Sequence, residues 1–132
     1  MEIVVICGSV RFKNEMLGYR DEQMTKGKWI LLPENMDIDI QKIDRRVKDQ
    51  MDQLHLKKID CADKVIIWNR DGYMGESTRR ELSYSLKNNK AIEFIEKAYI
   101  EEAREMTRTQ FSRDIPQVVL KLNNNKNEKV KK

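Results

Sequence analysis

Residues 64–89 read KVIIWNRDGYMGESTRRELSYSLKNN. A β-branched run, Val65-Ile66-Ile67, passes into a loop carrying Gly72 and Gly75. A short continuous apolar run suits a strand buried on both faces. The polar stretch 77–89 then reads as a helix that closes near Asn88-Asn89. The same grammar recurs on both sides. EIVVICG (2–8) is a strand closed by Gly8, and 11–26 is a helix ending at Gly27. KWILLPE (28–34) is a strand with Pro33 at its exit. Ile43, Val47, Met51, Leu54 and Ile59 recur at helical steps and predict a helix over 39–62. AIEFIE (91–96) gives a fourth strand, 98–110 a further helix, and VVLKL (118–122) a fifth strand. Strands alternating with helices imply parallel pairing through crossover helices. The expected fold is a doubly wound α/β domain, flavodoxin-like or Rossmann-like, with four to five strands.

A chain of 132 residues suits one such domain. The net charge of +4 is concentrated at one end: NNNKNEKVKK (123–132) holds four lysines and one glutamate, which is +3. That leaves +1 for residues 1–122, so no basic face for nucleic acid is implied. The expected organisation is one domain over 1–122 and a disordered basic tail over 123–132. Cys7 and Cys61 lack C-x-x-C spacing and His55 is the single histidine. Neither a disulfide framework nor a metal site is expected from these counts, and no cofactor. The N-terminal run IVVIC is too short for a signal peptide and follows no positive residue. No run approaches the ~20 apolar residues of a membrane span. The expectation is a cytoplasmic protein without a membrane partner, assembled as a homodimer.

In doubly wound folds ligands bind beyond the carboxyl ends of the strands, where strand order reverses. Two loops therefore matter. The first, Gly8-Ser9-Val10-Arg11-Phe12, combines a tight turn with a serine at a helix start. Backbone N–H groups there favour an anion, and Arg11 could add a bidentate phosphate contact. On these residues alone, an ordinary strand-to-helix turn with Ser9 as N-cap is the simpler reading. The second loop offers Gly72, Gly75, Ser77 and Thr78. Phe12 and Tyr73, one in each loop, could line a flat pocket for a base, whereas Trp68 reads as core. Thr78-Arg79-Arg80-Glu81 also fits the capping box S/T-x-x-E, in which Glu81 would bond back to the Thr78 backbone. His55 shares the stripe of Met51 and Ile59 and points inward, either as a satisfied histidine or as a polar group at the crevice.

Three pieces together resemble the nucleoside 2-deoxyribosyltransferase superfamily over roughly residues 3–96. VVICGSVRF is similar to its opening strand and loop, above all in the 2′-deoxynucleoside 5′-monophosphate N-glycosidase branch, which reads C-G-S-[IV]-R. DCADKVIIWN (60–69) resembles the A-D-x-hydrophobic start of its third strand. ELSYSL (81–86) resembles the E-L-G-Y-A helix whose glutamate is the nucleophile. The resemblance implies Glu81 as nucleophile, Gly8, Ser9 and Arg11 as the first-loop contacts, and Gly75 and Ser77 at phosphate. It also exposes two departures. His55 stands where the superfamily has an acidic residue, eight positions before Asp63, and Gly75 stands where the transferase branch has an aspartate.

The resulting expectation is cleavage or transfer at the N-glycosidic bond of a nucleoside or nucleoside 5′-monophosphate. Glu81 would attack the anomeric carbon and His55 would assist as acid. The alternatives are a nucleotide sensor that binds without turnover and a hydrolase of related fold that cleaves NAD or another nucleotide. GYMGESTRREL loosely echoes the G-G-x-G-T-x-x-E loop of the phosphoribohydrolases.

Overall fold

The computed structural model describes residues 1–37 and 40–96. Four strands, β1 (Ile3–Gly8), β2 (Trp29–Leu31), β3 (Lys64–Trp68) and β4 (Ala91–Phe94), alternate with three helices, α1 (Lys13–Thr25), α2 (Arg45–Cys61) and α3 (Glu76–Lys87). The strands form one sheet in the order β2-β1-β3-β4, and every pairing is parallel. This is the expected flavodoxin-like or Rossmann-like α/β architecture. The predicted helix at 98–110, the fifth strand at 118–122 and the tail lie outside the described residues. Among the described residues no helix is long and apolar enough to cross a membrane.

The continuous apolar runs are explained by burial on both faces. Val5 and Cys7 of β1 join Val65, Ile67, Ile59, Leu82, Leu86 and Ile92 in one core layer, under α2 and α3. Val4 and Ile6 join Ile66, Trp68, Ile30 and Met16 in the other, under α1. Burying a branched aliphatic side chain contributes about 1.5–3 kcal/mol, so these two layers are the main stabilising term.

Three boundaries differ from the sequence reading. Strand β2 pairs over only three residues, because a 3₁₀ turn at Glu34–Asp37 follows Pro33. Helix α2 begins at Arg45, not near 39: a second 3₁₀ turn covers Ile40–Lys42, and Asp44 caps the helix by accepting from the Val47 N–H at 2.9 Å. Helix α3 begins one residue earlier than expected, after Gly75 as N-cap, so Thr78 already lies inside it. The proposed capping box therefore does not form.

The Ala62-Asp63 motif has a structural role. The Asp63 carboxylate accepts from the Ile3 N–H at 2.8 Å, and the Asp63 N–H donates to the Ile3 carbonyl at 2.7 Å. This clamp sets β3 against β1 in the register Val4↔Lys64 through Gly8↔Trp68. At the far end of that register only glycine fits, since a Cβ on Gly8 would meet the Trp68 Cβ at 2.7 Å and the Met16 sulfur at 3.2 Å. Both neighbours are packed. Gly8→Ala should lower stability by about 1–3 kcal/mol, the usual cost of overpacking, as read by urea denaturation. Unchanged stability would show that the two strands can separate there.

Candidate active site

Strand order reverses between β1 and β3, since β2 lies on one side of this pair and β4 on the other. A cleft of about 220 Å³ opens beyond the carboxyl ends of these strands. Gly8, Ser9 and Val10 form one wall and Gly75, Glu76, Ser77 and Thr78 another. Pro33 and Glu34, after β2, and Lys48, Met51 and Asp52, on α2, complete it, with Glu81 among its lining.

Glu81 belongs to the buried stripe of α3. Thr78, Glu81, Leu82, Ser85 and Leu86 are all buried, at the i, i+3, i+4, i+7, i+8 spacing of a core-facing side. Four of these residues are apolar or small, and the glutamate joins Thr78 in lining the cleft. Its residue exposure is 8%. Desolvation raises its pKa, and the charges of Asp52 and Glu34 push the same way, against the favourable influence of His55 and a hydrogen bond from Cys7.

A second stripe supplies the neighbours. Lys48, Asp52, His55 and Ile59 occupy one side of α2, running from the cleft into the core. Lys48 Nζ bonds Asp52 at 2.6 Å and the Ser77 hydroxyl at 3.1 Å, linking α2 to the start of α3. Arg80 reaches the other Asp52 oxygen at 3.0 Å. His55 is 1% exposed. Its Nε2 lies 3.5 Å from Cys7 Sγ and 4.0 Å from Glu81 Oε1, and its Nδ1 lies 3.5 Å from Glu34 Oε2. Lys58 pairs with the other Glu34 oxygen at 2.8 Å. Burial opposes ionisation of Glu34, but the close approach of His55 and Lys58 outweighs it and holds its pKa below the ordinary value. Burial, reinforced by the Glu81 charge, pushes the Cys7 thiol well up. Cys7 is therefore held as a neutral thiol and is not a thiolate nucleophile.

Set beside models of known protein families, characterised proteins and solved structures, the chain gives no match. Its site is accordingly read from its own geometry.

The expected residues fall in three places. Glu81, Gly8, Ser9, Gly75 and Ser77 meet around the cleft. His55 lies behind Glu81, not on the cleft lining. Ser9 caps the short 3₁₀ turn Val10–Phe12 by accepting from the Arg11 N–H at 3.2 Å. Arg11, Phe12 and Tyr73 form a separate cluster at the side. The Arg11 guanidinium lies 3.6 Å over the Tyr73 ring, whose centroid is 6.2 Å from that of Phe12 in an edge-to-face contact. Such stacking holds the cation above a ring face. Trp68 is core, as expected, and its indole N–H donates to Glu15 at 2.9 Å.

Four residues escaped sequence reasoning. Asp52 and Lys48 were recoverable, because they precede His55 by three and seven positions on one helical side. Cys7 and Glu34 were not, since their contacts with His55 cross between separate elements.

The raised pKa of Glu81 has a definite sign. A carboxyl whose folded pKa exceeds its unfolded value favours folding fully below the unfolded pKa, and that contribution is lost as pH rises through the folded pKa. Glu81→Gln should therefore be as stable as, or more stable than, the native chain at neutral pH. The difference should shrink as pH falls into the ordinary carboxyl range of about 4–4.5. Paired melting curves across that interval check this; a Glu81→Gln chain less stable at neutral pH than at pH ~4, relative to the native one, would contradict it.

Proposed function

We propose that this domain cleaves the N-glycosidic bond of a nucleoside 5′-monophosphate, with Glu81 as nucleophile. The observation that carries the reading is the Glu81 carboxyl. It is desolvated, free of any backbone cap, and lines a cleft at the strand-order switch point. Its similarity in sequence context to the nucleoside 2-deoxyribosyltransferase superfamily points to the same chemistry. A carboxylate in such a setting stabilises a developing oxocarbenium ion and can close on the anomeric carbon.

The dimensions suit a divided substrate. A cleft of about 220 Å³ is too small for a whole nucleotide but takes a sugar phosphate. The phosphate sits against Ser9 and the opening turn of α3, where backbone N–H groups and the positive end of the helix favour an anion. Lys48 supplies the nearby cation. A wider groove of about 620 Å³ adjoins the cleft and shares Asp52, Ser77 and Glu81 with it. Leu56 and Tyr84 give this groove apolar surface for the base.

The steps balance simply. Glu81 bonds to the anomeric carbon as the carbon–nitrogen bond breaks, and the departing base takes its proton from solvent. Water then displaces Glu81, giving a sugar phosphate, and Asp52 accepts the proton of the attacking water. His55 acts through Glu81: with Cys7 it fixes the carboxylate from behind and touches no substrate. Transfer to a second base uses the same intermediate.

Incubation with a panel of nucleoside and deoxynucleoside 5′-monophosphates, read by mass spectrometry for free base, tests this. Release should occur with the native chain and fall at least ~100-fold in Glu81→Gln, since an amide is a far poorer nucleophile. The acidic limb of the rate profile should lie above the ordinary carboxyl range, because protonated Glu81 is inert. Tight binding without release would instead identify a nucleotide sensor, and undiminished release in Glu81→Gln would remove the mechanism.

A further inference from the structure

Behind the cleft the structure gathers one thiol, one imidazole and one carboxylate from three different elements. A ligand atom from each of Cys7, His55 and Glu81 lies within 4.8 Å of the others. The geometry points to a binding site for a thiophilic divalent cation of the zinc class, formed by Cys7 Sγ, His55 Nε2 and one Glu81 oxygen.

The spacing fits. With zinc bonds of about 2.3 Å to sulfur and 2.0 Å to nitrogen, a tetrahedral centre sets these two atoms ~3.5 Å apart. The observed separation is 3.5 Å. A nitrogen–oxygen pair in the same centre stands ~3.3 Å apart, whereas His55 Nε2 and Glu81 Oε1 are 4.0 Å apart. A small rotation of the carboxylate closes that difference. Because Glu81 lines the cleft, it is also the side from which a cation enters and on which a water completes the fourth position.

The surroundings provide an independent argument. Metal-binding histidines characteristically offer their second ring nitrogen to a carboxylate, which fixes ring orientation. His55 Nδ1 is buried without a hydrogen-bond partner of good geometry, yet faces Glu34 Oε2 at 3.5 Å. Lys58 holds Glu34 in place at 2.8 Å. Charge also balances. Binding displaces the Cys7 thiol proton to solvent as the sulfur–metal bond forms, so thiolate and carboxylate together neutralise the dication. The cation removes the acidic proton that burial otherwise retains on sulfur, and it satisfies a carboxylate that is desolvated without it.

The site stands on this geometry alone. Its consequence for turnover rests on the N-glycosidase reading: a cation on Glu81 withdraws the nucleophile, so saturating zinc suppresses base release and a chelator restores it.

Titration of the chelator-treated full chain with cobalt(II) is the test. One equivalent should produce a near-ultraviolet thiolate-to-cobalt absorption and the intense visible bands of a four-coordinate centre. Cys7→Ser should abolish the near-ultraviolet absorption, while Cys61→Ser, at an exposed position, should retain it. Glu34→Gln should weaken cobalt binding by about 10–100-fold, as loss of a histidine-orienting carboxylate does. If Cys7→Ser fails to fold, Glu81→Gln serves in its place: cobalt affinity should fall at least tenfold and the visible bands should shift. No thiolate absorption at excess cobalt, or an absorption that survives in Cys7→Ser or disappears in Cys61→Ser, would overturn the site. Since the spectrum needs no turnover, cobalt absorption together with no base release by the chelator-treated, metal-free chain sinks the enzymatic reading alone, and base release by the metal-free chain without the absorption on cobalt addition sinks the cation site alone.

Discussion

Strands β1 and β3 approach so closely at Gly8 and Trp68 that residue 8 has no room for a side chain. The Asp63–Ile3 clamp fixes one end of this pair and the Gly8–Trp68 approach fixes the other. Between them the alternation of β1 is forced. Val5 and Cys7 face α2 and α3, while Val4 and Ile6 face α1. Cys7 is the last side chain on its side before the chain turns out through Gly8. It therefore becomes the floor under the cleft, and whatever α2 and α3 present at that level must meet a thiol.

What they present is polar. His55 and Glu81 replace the aliphatic side chains that continue the same stripes deeper in the core. Burying an unpaired charge is costly, and the layer offsets that cost only in part: Cys7 meets His55, His55 stands between Glu81 and Glu34, and Lys58 closes the chain of contacts, while His55 Nδ1 and Glu34 Oε1 keep no hydrogen-bond partner of good geometry. An apolar set of similar volume would stabilise the domain more. A desolvated carboxyl facing a cleft is the kind of stability sacrifice found where reactivity is needed. The same donors are the ones the proposed cation site would take as three corners of a tetrahedron.

The fold was legible because its signal is redundant. Strands β1, β2 and β3 carry continuous apolar runs, β4 is apolar but for Glu93, and each Gly or Asn stop lies within a residue or two of the observed end. The misread boundaries came from competing local bonds: Asp44 starts α2 by capping Val47, and Gly75 starts α3 without any side-chain help. That early start also decided the fate of Glu81. Had Thr78 been the N-cap, its neighbour three residues on would have turned back to the backbone. Being one turn inside the helix, Glu81 faces the core, three residues on from the buried Thr78. The pairing of Cys7 with His55 spans 48 residues, and no local pattern announces it. Arg11 illustrates the opposite limit: its place beside Ser9 was readable, but its stacking on Tyr73 depended on where a second loop came to rest.

The central claim is that the Glu81 carboxylate bonds to the anomeric carbon. A nucleoside 5′-monophosphate carrying fluorine at the sugar 2-position slows both steps but the second more, so the sugar remains on the protein. Intact-mass and peptide analysis after incubation with such a compound should find one glycosyl group per chain, on the peptide containing Glu81, and none in Glu81→Gln. A glycosyl group on a different residue, or the same modification in Glu81→Gln, would contradict the account.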